Sequence, residues 1–252
     1  MTNILLEKKG LIAVATINRP KALNALNSEV LTDLDELVSA VKADADIRAL
    51  VITGSGEKAF VAGADIGEMS TLTKEGGEAF GKHGNNVFRA IETLPIPTIA
   101  AVNGPGFHTE IALLCDMTLC TDDVVFQDGH FSLGFVPGDG QLVTLQELIG
   151  AKRAAHMVYT GENIDAKTAL AWGMINEVVP KDKLMARALE LAEKIMKQTR
   201  ATRCMTHHLL TRDWKRRLIN DFQFHITQEG FASLIDRPQH DLNKLREKWE
   251  EE

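Results

Sequence analysis

His130 stands nine residues before Asp139 in the stretch Phe126-Gln-Asp-Gly-His-Phe-Ser-Leu-Gly-Phe-Val-Pro-Gly-Asp-Gly140. Imidazole titrates near neutrality, and a carboxylate behind it makes it a general base able to activate water. Glycines at 138 and 140 let the chain bend and return the carboxylate toward the ring. The plainer alternative is a turn in which Asp139 caps a helix and His130 faces solvent. Spacing alone leaves both open. His108, His130 and Asp139 are also the residue types of a two-histidine, one-carboxylate metal site. His207 and His208 are adjacent, so on a helix they point about 100° apart and make poor joint ligands.

These residues sit in a chain of 252 with 44% hydrophobic content, enough for one large domain with a sizeable core. A net charge of −7 argues against nucleic acid or an anionic membrane as partner. Cys115, Cys120 and Cys204 are odd in number and lack metal or redox spacing, so they read as reduced, mostly buried thiols. The amino-terminal residues lack a signal-peptide core, and no apolar run approaches about 18 residues. The expectation is a cytoplasmic enzyme.

Short apolar strands alternate with amphipathic helices. Residues 11–17, 49–53 and 98–103 are almost continuously apolar, as strands buried on both faces are. Residues 117–120, 124–126 and 175–179 read as further short strands. A helix is expected from Asn27 to about Ala45, with Val30, Leu31, Leu34, Leu37 and Val38 on one face. Further helices are expected over 141–149, 151–160, 166–172 and 181–197. The last fifty residues read as two or three helices ending in the charged run 241–251. This divides the chain into a core over 1–195 and a helical segment over 196–252. Arg212, Lys215, Arg216 and Arg217 read as a solvated or subunit-facing helix face, or as a phosphate contact. Met185, Met196 and Met205 read as helix-core or interface fillers.

Several segments together resemble the crotonase (enoyl-CoA hydratase/isomerase) superfamily over essentially the whole chain. They are Asn18-Arg-Pro-Lys-Ala-Leu-Asn-Ala-Leu26, Ala59-Phe-Val-Ala-Gly-Ala-Asp-Ile-Gly-Glu-Met69, Ile99-Ala-Ala-Val-Asn-Gly104, Glu110 with Cys115-Asp116, Pro137-Gly138 and Gly173-Met-Ile-Asn-Glu-Val-Val179. The resemblance implies an α/β fold with a ββα spiral core, a C-terminal helical trimerisation region, and a homotrimer or dimer of trimers. It implies chemistry through an enolate held by two backbone N–H groups. One of these falls on Ala64, at a sharp turn into a helix start where the N–H is free of intrahelical bonding. CoA contacts fall on Lys21, Ala22, Leu23 and Ala62. Outside the motif Lys21 would read as a solvated lysine.

The departures from the superfamily pattern are specific. The loop Pro105-Gly-Phe-His-Thr109 lacks the glycine run that supplies the second N–H, and it places His108 two residues before Glu110. His130 stands where hydratases carry a second glutamate, and Asp139 replaces a small residue in the Pro-Gly-x-Gly turn. These three positions resemble the β-diketone hydrolases of the superfamily, the 6-oxocamphor hydrolase type. That resemblance implies a retro-Claisen carbon–carbon hydrolase with no metal or redox cofactor. His130 is then the base, Asp139 its orienting partner, and His108 a donor to a substrate carbonyl. Glu229 becomes a further acidic pocket residue, unless it lies on a solvated helix face. The alternatives are an enoyl-CoA hydratase or acyl-CoA isomerase acting through Glu110, with the CoA thioester as substrate rather than cofactor, and a non-catalytic crotonase-fold subunit. The last is preferred if His108 and His130 face away from any cavity.

Overall fold

A computed structural model of the chain describes residues 1–105 and 110–235. Among these residues eight strands, β1 (Ile4–Lys9), β2 (Ile12–Ile17), β3 (Ala49–Gly54), β4 (Thr98–Val102), β5 (Met117–Cys120), β6 (Val125–Phe126), β7 (Ile164–Asp165) and β8 (Glu177–Val178), make two sheets. The larger has the order β1-β2-β3-β4-β5-β8; β1 pairs antiparallel with β2 and every later pair is parallel. The smaller joins β6 to β7. The helices are α1 (Ser28–Ala43), α2 (Ile66–Met69), α3 (Lys74–Glu92), α4 (Glu110–Leu114), α5 (Gln141–Thr160), α6 (Ala166–Trp172), α7 (Leu184–Met196) and α8 (Arg200–Ile235). The expected α/β class and parallel sheet are present.

Alternation along the strands explains why they read as unbroken apolar runs. Ala13, Ala15, Ile17, Leu50, Ile52, Ala100 and Val102 belong to one core cluster, together with Val30, Leu34 and Leu37 of α1. Ile12, Val14, Ala49, Val51, Ile99 and Ala101 belong to a second, together with Leu184, Ala188 and Ala192 of α7. Both faces of the sheet are therefore covered, and neither tolerates polar alternation. Helix starts follow local capping: Asn27 and Thr73 accept from N–H groups three residues on, at 2.9 and 3.1 Å.

Of the last fifty residues, expected to hold two or three helices, those up to 235 belong to the one helix over 200–235, and the expected helix over 241–251 lies outside the described residues. The two helices expected over 141–149 and 151–160 are present as the two halves of α5, parted at Gly150, whose φ of +77° is non-helical and suits glycine. Among the described residues no helix is long and apolar enough to cross a membrane.

Candidate active site

The loops that follow β3 and β4, together with the turn after β6, carry the expected site residues, at the carboxyl end of the parallel strands where open α/β sheets place ligands. The first wall is built by two strips of backbone. Leu26 N–H donates to Gly63 O at 2.7 Å, Asp65 N–H to Leu26 O at 2.8 Å, and Ala62 N–H to Leu23 O at 3.0 Å. This pairs Leu26 with Ala64 as a short parallel bridge. The N–H of Ala64 points away from the bridge and, among the described residues, donates to nothing. Asp65 caps α2 by accepting from Glu68 N–H at 3.1 Å. The helix-start reading and the free donor are thus both true.

The strips are held by residues whose purpose the sequence did not reveal. Arg19 donates to Asp65 through both Nη1 and Nη2 at 3.0 Å and to Ala25 O at 2.6 Å. Both N–H groups converge on one oxygen, Asp65 Oδ2, and these charge-assisted bonds tie the two strips together. Asn24 is fully buried in the left-handed region, φ +57°, which asparagine tolerates better than most residues. Its amide donates to Ser55 O and Ala59 O, both at 2.9 Å, and its carbonyl accepts from Arg19 N–H. Lys21 and Leu23 are exposed beside this wall, and Ala22 and Ala62 are half-buried.

The second wall holds the titratable groups. Glu110 opens α4 and is 2% exposed. Its carboxylate, the imidazole of His130 and the carboxylate of Asp139 each place a ligand-type atom within 4.8 Å of the other two. His130 and Asp139 do converge, but at 3.7 Å between Nε2 and Oδ2, beyond a hydrogen bond. Asp139 Oδ1 accepts from Gln141 N–H at 3.1 Å, so the residue also caps the start of α5. Among the described residues, the ring hydrogen-bonds Asp128, which sequence reasoning missed. Its Oδ1 accepts from His130 N–H at 2.9 Å and lies 3.3 Å from Nδ1. Asp128 is two residues from His130 and reads as a turn residue; only its complete burial marks it out.

Electrostatics then decide what His130 does. Burial works to lower its pKa, but Asp139, Asp128 and Glu110 together outweigh burial and push it up to about 10. The three carboxylates favour the charged ring, the form that donates a proton, over the neutral ring that the water-activating base expected from spacing requires. The triad Glu110, His130 and Asp139 has the donor types to hold a small divalent cation.

Glu229 of α8 lies against the Pro137–Gly140 turn, beside Asp139. A Cβ on Gly138 would come within 2.7 Å of the Glu229 Cβ, so only glycine admits this approach. The expectation that Glu229 is a pocket acid is thereby located next to the site, half-buried. His108 lies outside the described residues, as does the loop expected to supply the second oxyanion donor.

Comparison with known proteins bears on the chemistry. A model of the enoyl-CoA hydratase/isomerase family matches residues 7–250. A short-chain-enoyl-CoA hydratase of Clostridium acetobutylicum is 44% identical over 198 residues, 78% of this chain and 76% of that protein. A crotonyl-CoA hydratase of Syntrophomonas wolfei is 41% identical over 196 residues, 77% of this chain and 75% of that protein. The crystal structure of an enoyl-CoA hydratase/isomerase from Mycobacterium paratuberculosis superimposes with a TM-score of 0.85 at 28% identity, covering 92% of this chain and 94% of that one. These relatives overturn the β-diketone hydrolase reading and its dicarbonyl substrate, and they do not bear out the closeness to the 6-oxocamphor hydrolase type. The carboxylates around His130 favour its charged form, which is the form least suited to the base that reading needs. The chain belongs to the enoyl-CoA hydratase/isomerase family.

Proposed function

We propose that this chain is an enoyl-CoA hydratase acting on short-chain enoyl thioesters. The observation that carries the reading is the approach of a buried carboxylate, Glu110, to within 4.8 Å of the His130 ring, whose carboxylate neighbours favour its charged form. Hydration of a carbon–carbon double bond conjugated to a thioester uses one group to take a proton from water and one to give a proton to carbon. The hydratase names of the 44% and 41% identical relatives support the same substrate class.

Glu110 takes a proton from water as its oxygen bonds to C3. The C2=C3 electron pair moves toward the thioester, whose carbonyl oxygen becomes an enolate oxygen facing the Ala64 N–H. His130 Nε2 then delivers its proton to C2. Glu110 is left protonated and His130 neutral; exchange with solvent restores both, and the net change is addition of one water. Asp139 and Asp128 keep the imidazole charged before the step, and the developing enolate is stabilised by that charge. Lys21, Ala22, Leu23 and Ala62 line the wall where the thioester and its CoA carrier approach. Leu23 exposes an apolar side chain there.

The reading includes assembly as a homotrimer or dimer of trimers. Met205, Leu209, Leu210, Phe224 and Phe231 of α8 are apolar and exposed in the single chain, as surfaces that meet another subunit are. The direct test mixes the protein with crotonyl-CoA and follows loss of the enoyl thioester absorbance. Turnover that disappears in Glu110→Gln supports the reading, and no turnover by folded protein sinks it.

A further inference from the structure

We propose that Asp128 is the positioning residue for His130: its carboxylate fixes the ring so that Nδ1–H is held by Asp128 and Nε2 is the atom turned to the substrate. This deepens the hydratase reading and rests on it for its consequence in catalysis, though the contact itself is independent of any reaction.

Three observations converge. Asp128 is 0% exposed, yet an ionised carboxylate is costly to bury without a counter-charge. Its Oδ1 accepts from the His130 N–H at 2.9 Å, an Asx turn that sets the backbone of His130, and reaches Nδ1 at 3.3 Å, which sets the ring. Among the described residues its Oδ2 is buried with no hydrogen-bond partner, and the only ion pair found for the residue is with His130. The carboxylate thus has one cation to face, on the residue it also orients. Asp139 stands on the opposite nitrogen at 3.7 Å, so it supplies charge without fixing the tautomer. Among the described residues, Glu110 of α4 also faces the ring, and Glu229 of α8 lies against the neighbouring Gly138.

The division of labour follows from the two nitrogens. A histidine whose Nδ1–H is held by a carboxylate must transfer its mobile proton through Nε2. Losing such a partner permits the wrong tautomer and wrong ring orientation, damage that appears in kcat rather than in KM.

The test is nuclear magnetic resonance of the full-length protein labelled with 15N at histidine, with the His130 signals assigned by their loss in His130→Gln. At pH 7 the parent is expected to show a slowly exchanging, downfield Nδ1–H proton. Asp139→Asn should keep it, and Asp128→Asn should lose it. In Asp128→Asn the His130 titration midpoint should fall by about one to three pH units, and kcat on crotonyl-CoA should drop about a hundredfold or more with KM little changed. Asp128→Glu should restore part of both. A protected proton on Nε2 instead of Nδ1 in the parent overturns the proposal, and this reading needs no variant to fold. So does an Asp128→Asn protein with the parent Nδ1–H signal and titration. If the resonances behave as expected but crotonyl-CoA is not hydrated, the positioning contact stands and the hydratase reading falls.

Discussion

Two buried ionisable regions of this molecule meet the same physical problem and resolve it in opposite ways. At His130, burial disfavours the charged ring, but Asp139, Asp128 and Glu110 crowd around it and the charge is retained, with a pKa of about 10. At Glu92, the end of α3, the carboxylate is 2% exposed, and among the described residues neither oxygen has a hydrogen-bond partner. Lys215 donates to the Glu92 main-chain oxygen rather than to its carboxylate. Burial therefore prevails over Lys215 and Arg89 and lifts Glu92 to about 7. Partners within reach, rather than depth of burial, decide which buried group stays ionised. One site is built to hold a charge for chemistry; the other carries a group that charges only at a cost.

The largest expected effect breaks the active-site half of the comparison. Glu110→Gln removes the base while keeping shape, and hydration of crotonyl-CoA should fall about 10²–10⁴-fold with the protein still folded. A loss under tenfold, read by steady-state kinetics, places the base elsewhere. His130→Ala should cost a similar factor in kcat. It also leaves Asp128 buried without its cation, so chemical denaturation should show a loss of about 3–5 kcal/mol. A variant as stable as the parent would mean that Asp128 has another counter-charge.

At the second region the expected sign reverses. Glu92→Gln removes a carboxylate that ionises unfavourably. The pKa rises from 4.5 to about 7 on folding, so the folded state binds the proton more tightly. The associated stability is full below pH 4.5 and is lost as pH rises through about 7. The shift corresponds to about 3 kcal/mol. Glu92→Gln should therefore melt higher than the parent at pH 8 and show a flatter stability–pH curve between 4.5 and 7. Equal slopes in the two proteins would count against an ionisable, buried Glu92. His130 obeys the same sign over a higher window, from 6.5 to about 10, and His130→Gln should flatten that stretch alone.

The smallest effect concerns the wall that carries Ala64. Asn24→Ala removes two donors and one acceptor from buried backbone groups. It should destabilise by about 1–3 kcal/mol and raise KM for the thioester as the Leu23–Leu26 strip loosens. Unchanged KM and melting temperature would show that Arg19 and Asp65 hold the strip without it.

The sequence disclosed what burial on both faces imposes. β2, β3 and β4 read as strands because both of their surfaces meet core. β1 escaped notice because it is the edge strand, and Glu7, Lys8 and Lys9 break its apolar run. α3 was hidden by Gly76, Gly77, Gly81 and Gly84, which argue against a helix by propensity; packing of Val87, Phe88 and Ile91 overrides them. Motif order pointed to His130 and Asp139 in one pocket with His108, which lies outside the described residues; that Glu110 stands beside the pair was left open by the sequence. The role of His130 was not legible, since protonation depends on three carboxylates from separate segments whose distances no spacing encodes. The same limit hid Asp128, a turn residue by position and a buried counter-charge by structure.

The central claim is that His130 acts as a protonated acid opposite Glu110, and the pH dependence of crotonyl-CoA hydration tests it most directly. Hydration should require ionised Glu110 and charged His130, so kcat should hold its plateau through neutrality and decline only as pH approaches about 10. The decline should shift to lower pH in Asp139→Asn. A kcat that instead falls on the acid side near pH 6.5, and rises to a plateau above it, would show His130 working as a neutral base and would contradict the account.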